Sequence, residues 1–99
     1  MPTFGEFELD LGKHKLFHGG KEVELTAKEF KLLKYFAGRP GRALARNDIL
    51  NAVWGHSVMV TPRSIDRCVA TLRAKIGSAY IQTIRDIGYR FEPESIATS

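Results

Sequence analysis

Arginine side chains in the second half of the sequence are the groups best suited to bind a charged ligand. Between Arg63 and Arg90 there are six basic residues and two acidic ones, so this segment carries the whole net charge of +4. In residues 1–38, six lysines are balanced by six acidic residues. The planar guanidinium fork of arginine matches phosphate oxygens and guanine edges. The pattern therefore favours an anionic partner such as nucleic acid, while a solvated basic surface would give the same charge distribution.

The other reactive residue types lack a pattern that indicates catalysis. The sequence has no HExxH motif, and His14 and His18 fall in strand and hairpin sequence with no acid–base partner indicated. Cys68 is the only cysteine, which excludes an internal disulfide and a thiolate metal cluster. The glycine pairs do not form a phosphate-binding loop. We therefore expect no enzyme activity, no catalytic residue, no metal and no cofactor.

The cell compartment follows from the same composition. One cysteine is typical of a chain that works in a reducing environment. No apolar run approaches the roughly 18 residues that a membrane span needs, and no signal-peptide pattern opens the sequence. We expect a cytoplasmic protein without a membrane partner.

A helix from Thr61 to Ile76 must position several of the arginines. Thr61 is a capping residue type, and Pro62 suits the first helical position. At 100° per residue one stripe is apolar and must face the core: it contains Ile65, Val69, Leu72 and Ile76. The opposite face contains Arg63, Arg67, Ala70 and Ala74, flanked by Ser64 and Thr71. Asp66 and Arg73 lie between the two faces, so we expect them to form structural ion pairs or hydrogen bonds.

The residues before this helix predict antiparallel strands and two further helices. Strands are expected over residues 4–10, 15–18 and 22–25, with Gly19-Gly20 as a two-residue hairpin turn. Thr26 and Glu29 form a capping box that begins the first helix, which ends near Gly38. The second helix follows a short extended stretch at residues 42–45. We expect it to be capped by Asn47 or Asp48 and to end at Gly55.

After the third helix, the pattern returns to strands. Residues 81–85 and 89–92 flank a three-residue loop in which Gly88 is expected to take the left-handed position. The whole predicts an α+β fold: a winged helix-turn-helix with an N-terminal antiparallel sheet, three helices and a C-terminal hairpin. We expect one domain over residues 1–93 and a flexible tail over residues 94–99. The face of a helix of this kind has the size that a DNA major groove admits.

Several segments together resemble one known family. They include Leu25-Thr26-x-x-Glu29-Phe30, Arg39-Pro40-Gly41, Val53-Trp54-Gly55, Arg63-Ser64-Ile65-Asp66, Leu72-Arg73-x-Lys75-Ile76 and Gly88-Tyr89-Arg90-Phe91. Over residues 4–91 the chain resembles the effector domain of OmpR/PhoB-type response regulators. The resemblance implies a four-stranded N-terminal sheet, three helices and a hairpin wing. It also implies sequence-specific binding of double-stranded DNA in transcription regulation.

The resemblance further implies a role for individual residues. In the recognition helix, the residues expected to face DNA are Arg63, Ser64, Arg67 and Thr71. In the wing, the residues expected to touch the backbone or minor groove are Thr83, Arg85 and Tyr89. The loop expected to contact RNA polymerase contains His56, Ser57, Val58 and Met59, although apolar residues in it would equally serve as core anchors. Family members bind direct repeats as head-to-tail pairs, so we expect a dimer on DNA.

The sequence departs from the family pattern at three positions. The family often has His where this chain has Cys68, a basic residue at Thr71 and Gly at Asp86. A receiver domain normally precedes this domain, so the sequence corresponds to the output domain of a two-component regulator or to a stand-alone relative. The alternative function is a winged-helix module that binds protein through Val58, Met59 and the first helix.

Overall fold

The structure, a computed structural model, describes residues 3–55 and 61–93. Four strands open the chain as an antiparallel sheet in the order β1-β2-β3-β4. Their bounds are β1 Thr3–Phe4, β2 Phe7–Asp10, β3 Lys15–His18 and β4 Lys21–Val23. The Gly19-Gly20 turn is confirmed, because φ is +58° and +87° at the two glycines, as a type I′ turn requires. The expected tail, residues 94–99, lies outside the described residues.

The single strand expected over residues 4–10 is wrong. The chain turns after β1, so Phe4 pairs with Phe7 across the ladder, and both rings are buried. In one continuous strand these rings would point to opposite faces, since side chains alternate. The turn depends on Gly5, whose φ is +57° and where a Cβ would lie 2.0 Å from the Tyr80 hydroxyl. Burial of both rings therefore outweighs the alternating pattern.

Three helices pack against one another beside this sheet. They are α1 Ala27–Ala37, α2 Arg46–Trp54 and α3 Pro62–Ile76. The capping box of α1 is confirmed: the Glu29 amide donates to Thr26 Oγ1 at 3.1 Å, and the Thr26 amide donates to Glu29 Oε1 at 2.8 Å. The bounds predicted for α3 are also confirmed, although the Thr61 side chain makes no capping hydrogen bond.

The expected cap of α2 by Asn47 or Asp48 is wrong. The helix already begins at Arg46, and its N-cap is Ala45, whose side chain cannot accept a hydrogen bond. The Arg46 amide instead donates to the Ile87 carbonyl at 3.3 Å. A carbonyl from the C-terminal hairpin thus satisfies a donor that a polar cap would otherwise satisfy.

A second sheet joins the middle of the chain to its C-terminal hairpin. Its strands are β5 Ala43–Ala45, β6 Ile81–Ile84 and β7 Gly88–Phe91, in the order β5-β7-β6. Aromatic rings connect the two sheets: Phe4 lies with its ring centroid 4.9 Å from that of Tyr80 and 5.2 Å from that of Phe91. The architecture is the α+β winged helix-turn-helix that the sequence predicts. Within the described residues, no helix is both long and apolar enough to cross a bilayer.

Candidate nucleic-acid interface

Helix α3 buries its apolar stripe against the core, so its basic face is on the opposite, outer side. Ile65, Val69, Leu72 and Ile76 are each at most 4% exposed. The residues on the opposite side are all exposed, as the spacing predicts: Arg63, Arg67, Ala70 and Ala74. Ala70 and Ala74 are small, so a ligand can approach the helix surface closely beyond the two arginines. This face is therefore the part of α3 that a ligand can reach.

The residues on the flank of this face differ in what they offer. Ser64 is half-buried, whereas Thr71 is exposed. The Thr71 hydroxyl donates to the Cys68 carbonyl at 3.0 Å, and its lone pairs remain available as acceptors. Thr71 thus supplies no positive charge to this face of α3.

A groove of about 600 Å³ runs beside α3, between the start of α1 and the end of α2. Four cations line it: Lys28, Arg63, Arg67 and Lys75. Lys28 Nζ donates to the Val53 carbonyl at 3.2 Å and lies 5.8 Å from the centroid of the Trp54 ring. The indole and the backbone therefore hold Lys28 at one side of the groove. The sequence did not single out Lys28, because its position beside α3 depends on the packing of α1 against α2.

One of the four cations, Lys75, already forms an ion pair within the protein. Lys75 Nζ donates to Glu29 Oε1 at 2.6 Å, and the Glu29 side chain is only 3% exposed. Burial raises the pKa of Glu29, but hydrogen bonds with Lys75, Thr71 and the Thr26 amide outweigh burial and leave this pKa below its usual value. Glu29 is therefore a carboxylate at neutral pH. By contrast, neither Arg63 nor Arg67 has a carboxylate partner within the described residues.

Cys68 lies at the base of the same groove and is 8% exposed. Burial and, to a smaller extent, the Glu29 carboxylate raise the pKa of its thiol to about 11. The side chain is consequently neutral at pH 7. Because this sulfur is uncharged and buried, the cationic contribution at this level of the helix comes from Arg67.

The C-terminal hairpin forms a wing whose tip is exposed at Arg85, Asp86 and Ile87. The expectation that Gly88 takes the left-handed position is wrong, because Asp86 takes it with φ +67°. Gly88 instead pairs with Ala45, and a Cβ there would lie 2.1 Å from the Leu44 carbonyl oxygen. Gly88 is therefore needed for the close approach of β5 to β7.

Side chains from two helices attach the wing to the body of the molecule. The Tyr89 hydroxyl donates to Asp66 Oδ1 at 2.7 Å, and Arg46 pairs with the other oxygen of the same carboxylate. Burial, followed by the hydrogen bond to Asp66, raises the pKa of Tyr89 to about 12. This confirms Asp66 as a structural ion-pair residue. Nothing in the sequence indicated that Arg46 would be its partner.

Arg73 forms a second attachment near the base of the wing. Its Nε and Nη2 donate to the Ile81 carbonyl at 3.0 and 2.6 Å, and Nη2 also donates to Thr83 Oγ1 at 3.0 Å. The guanidinium lies 5.5 Å from the centroid of the Tyr89 ring. The structural role expected for Arg73 is confirmed, and it orients Thr83.

The structure brings the expected wing residues together but gives them different exposure. Thr83 and Arg85 are exposed and share a cleft with Arg46 and Asp66. Tyr89 is 8% exposed, with its hydroxyl bound to Asp66. Of the expected wing contacts, Thr83 and Arg85 are therefore accessible, whereas Tyr89 supports the wing. The loop expected to contact RNA polymerase, His56 to Val60, lies outside the described residues.

No metal site accompanies this surface in the part of the chain that the structure describes. His14 and His18 are separated by their packing, since His14 stacks on Phe30 at 4.7 Å and His18 stacks on Phe7 at 4.3 Å between ring centroids. These two histidines serve as packing residues.

Comparison with known proteins agrees with the architecture. The chain is 35% identical over 96 residues to the transcriptional regulatory protein AfsQ1 of Streptomyces coelicolor, in a match that covers 92% of this chain and 43% of AfsQ1. It therefore spans about two fifths of the length of the curated relatives that it matches.

Two solved structures are also similar. The DNA-binding domain of Bacillus subtilis CssR has a TM-score of 0.79 and 35% identity, over 86% of this chain and 98% of that domain. The Klebsiella pneumoniae RstA DNA-binding domain, solved in complex with the RstA box, has a TM-score of 0.81 and 28% identity. That match covers 92% of this chain and 95% of the RstA domain.

The model of one protein family matches most of the chain. This family is described as the C-terminal domain of transcriptional regulatory proteins, and the match extends over residues 20–91. The matched residues include α1, α2, α3 and the wing, which together form the candidate interface. The chain belongs to this family of C-terminal domains of transcriptional regulatory proteins.

Proposed function

We propose that this domain binds double-stranded DNA to regulate transcription, with the outer face of α3 in the major groove and the wing on the adjacent backbone or minor groove. The observation that supports this most directly is the pair Arg63 and Arg67, one helical turn apart, exposed and without a carboxylate partner in the described residues. Unpaired guanidinium groups on an accessible helix face can donate to base edges without first breaking an ion pair. The relatives' DNA-binding domains support the same function.

Each residue has a distinct role in this proposal. Arg63 and Arg67 donate to base edges, while Ser64 and Thr71 make weaker polar contacts beside them. Arg85 and Thr83 contact the phosphate backbone or the minor groove from the wing. Tyr89 contributes through Asp66, because its hydroxyl is already bound there. Lys28, held beside Trp54, is placed to contact a phosphate that flanks the groove.

The salt dependence of binding tests the function itself. If the domain neutralises four or five phosphates, the logarithm of the association constant should fall against the logarithm of salt concentration with a slope of about −4. Fluorescence anisotropy on labelled duplexes, chosen by in-vitro selection with this domain, measures the slope. A slope near zero on every duplex would instead favour a winged-helix module that binds protein.

Two substitutions separate readout by the helix from anchoring by the wing. Arg67→Ala should cost about 1–3 kcal/mol on the selected site and relax the preference at one base pair. Arg85→Ala should weaken all sequences alike and reduce the salt slope by about one, as loss of a phosphate contact does. Lys21→Ala, on β4 of the N-terminal sheet and outside the groove beside α3, is the matched control and should change neither. If Arg67→Ala retains the full sequence preference, Arg63 or Thr71 is the better candidate for base readout.

The assembly on DNA and the transcription partner extend the proposal. We infer that two copies bind a direct repeat head to tail and that RNA polymerase contacts the loop from His56 to Val60. Both inferences rest on the resemblance to OmpR/PhoB-type effector domains, which the match to C-terminal domains of transcriptional regulatory proteins supports. Binding to duplexes with one or two half-sites tests the first inference: cooperative binding only to the double site is expected, and equal affinity per half-site would contradict it.

A further inference from the structure

A second groove lies between the β2–β3 turn, α1 and α2, and shares no lining residue with the groove beside α3. Its volume is about 480 Å³. Apolar lining comes from Leu11, Tyr35 and Ala52, and cationic lining from Lys31, Lys34 and Arg39. A ligand could therefore occupy this groove while the α3 face holds another partner.

The apolar part of the groove is unusually open for this molecule. Leu11 is 40% exposed, and among the described residues only Ile87 at the wing tip is a large hydrophobic side chain of comparable exposure. Ala52 on α2 is also exposed, and Tyr35 is half-buried. These three side chains therefore offer a partner a small apolar surface inside a cationic rim.

The cations around the groove have no ionic partner within the described residues, unlike Lys15, Arg46, Lys75 and Arg90, which each pair with a carboxylate. Arg39 is nevertheless held in place. Its guanidinium lies 4.2 Å from the centroid of the Tyr35 ring, and its Nη1 donates to the Tyr35 carbonyl at 3.5 Å. No acidic residue lines the groove. The nearest acids along the chain are Asp10, which accepts from the Lys13 amide at 2.9 Å, and Glu29, which is buried and paired with Lys75.

We propose that this groove binds an acidic amphipathic segment of a partner protein. Lys31 and Lys34 are three residues apart on α1, so they lie on one face of that helix. Carboxylates three or four residues apart on a partner helix have matching spacing, and the apolar face of such a helix covers Leu11 and Ala52. Arg39, stacked on Tyr35, adds a fixed donor at the end of this row. The proposal is independent of DNA binding, because the two grooves have no residue in common.

A designed peptide tests this surface directly. The probe is a helical 16-residue peptide with Leu on one face and Glu on its flanks, titrated into the ¹⁵N-labelled 99-residue chain. We expect amide shifts to concentrate at Leu11, Gly38, Arg39 and Ala52, and to persist when the chain is saturated with its DNA site. Peptides with Lys in place of Glu, or Ser in place of Leu, should each bind at least tenfold more weakly.

Charge reversal in the protein provides the matched comparison. The double variant Lys31→Glu/Lys34→Glu should lose at least tenfold in peptide affinity, whereas Lys21→Glu/Arg42→Glu, with the same charge change on exposed residues outside the groove, should lose less than twofold. Ala52→Glu, on the exposed face of α2, should also block the peptide by bulk and charge repulsion and serves if the double variant does not fold. Shifts centred on Arg63 and Arg67, or displacement of the peptide by DNA, would overturn the proposal. Equal binding of the Ser-containing peptide would overturn it as well, because it would mean that charge alone attracts the probe.

Discussion

Two hairpins of this domain, β3–β4 and the wing, reverse the chain by different means. The β3–β4 hairpin uses Gly19 and Gly20, and a Cβ at either position would meet nothing within 4 Å. The wing instead places Asp86 in the left-handed region and keeps its glycine, Gly88, for contact with β5. Asp tolerates that conformation better than most residues but less well than glycine.

Their attachments differ as well. Across the β3–β4 strands, an exposed ion pair joins Lys15 to Glu22 at 3.1 Å within the same hairpin. The wing is held from outside itself, by Asp66 and Arg73 of α3 and by the Arg46 amide at the start of α2. A turn sequence can thus specify that a hairpin forms, while its direction relative to a recognition helix requires bonds to that helix.

The largest expected effect tests the close approach that fixes the wing. Gly88→Ala places a Cβ about 2.1 Å from the Leu44 carbonyl oxygen and 3.0 Å from the Arg46 amide nitrogen, both backbone atoms. Because backbone at a strand junction cannot move without breaking pairing, we expect a loss of about 3 kcal/mol in the free energy of unfolding. Urea denaturation followed by circular dichroism measures it.

Gly19→Ala is the control for this substitution. The added Cβ would meet no atom within 4 Å, but φ is +58° at this position. Because alanine is strained in the left-handed region, we expect a loss of only about 1 kcal/mol in the free energy of unfolding. Equal costs at the two positions would mean that β5 and β7 can separate without penalty, and the contrast between the hairpins would disappear.

A smaller effect is expected from removing one attachment of the wing. Tyr89→Phe deletes the hydroxyl that donates to Asp66 and leaves the ring in place. The lost hydrogen bond should cost about 1 kcal/mol of stability. DNA binding should weaken on sites that extend under the wing and stay unchanged on sites truncated to the major-groove half.

Tyr35→Phe is the matched control, since the Tyr35 hydroxyl makes no hydrogen bond within the described residues and lies away from α3. Equal loss on long and truncated sites would contradict an orienting role for Tyr89. It would indicate that the whole domain, rather than the wing, has been perturbed.

The smallest effect is expected at the wing tip. Asp86 is strained because its backbone lies in the left-handed region, which glycine adopts without strain. Asp86→Gly should therefore raise the free energy of unfolding by up to about 1 kcal/mol. It also removes a negative charge beside Arg85, so DNA binding should tighten several-fold without a change in sequence preference. Thermal melting and anisotropy measure the two effects.

Asp86→Asn separates these two causes, because it removes the charge while keeping a side chain that tolerates the left-handed region. If Asn tightens DNA binding as much as Gly does, charge is responsible. Weaker binding by both variants would show that Asp86 supports Arg85 instead of opposing phosphate.

Local patterns were sufficient where one element decides its own structure. The apolar stripe of α3, Pro62 at its start and the capping box of α1 were all predicted and confirmed, because helical periodicity and capping act over a few neighbouring residues. The Gly19-Gly20 turn belongs to the same class. The direction in which Arg63 and Arg67 point follows from that stripe alone.

Predictions failed where a contact with another element determines the local backbone structure. The start of α2 at Arg46 depends on the Ile87 carbonyl, and the break after β1 depends on burial of both Phe4 and Phe7. The exchange of roles between Asp86 and Gly88 depends on β5. In each case the deciding atom lies on another element, so no local pattern contains it.

By itself the sequence determined the three helices, the α+β architecture and a basic face on α3, since these follow from periodicity and from where the arginines fall. Only the tertiary structure decided which cations have no carboxylate partner and are therefore free to bind an anionic ligand. Lys75 forms an ion pair with Glu29, and Arg46 forms one with Asp66. Arg63 and Arg67 form no ion pair within the described residues. The physical reason is that ion pairing depends on distances of a few ångströms between side chains far apart in sequence, which packing alone sets.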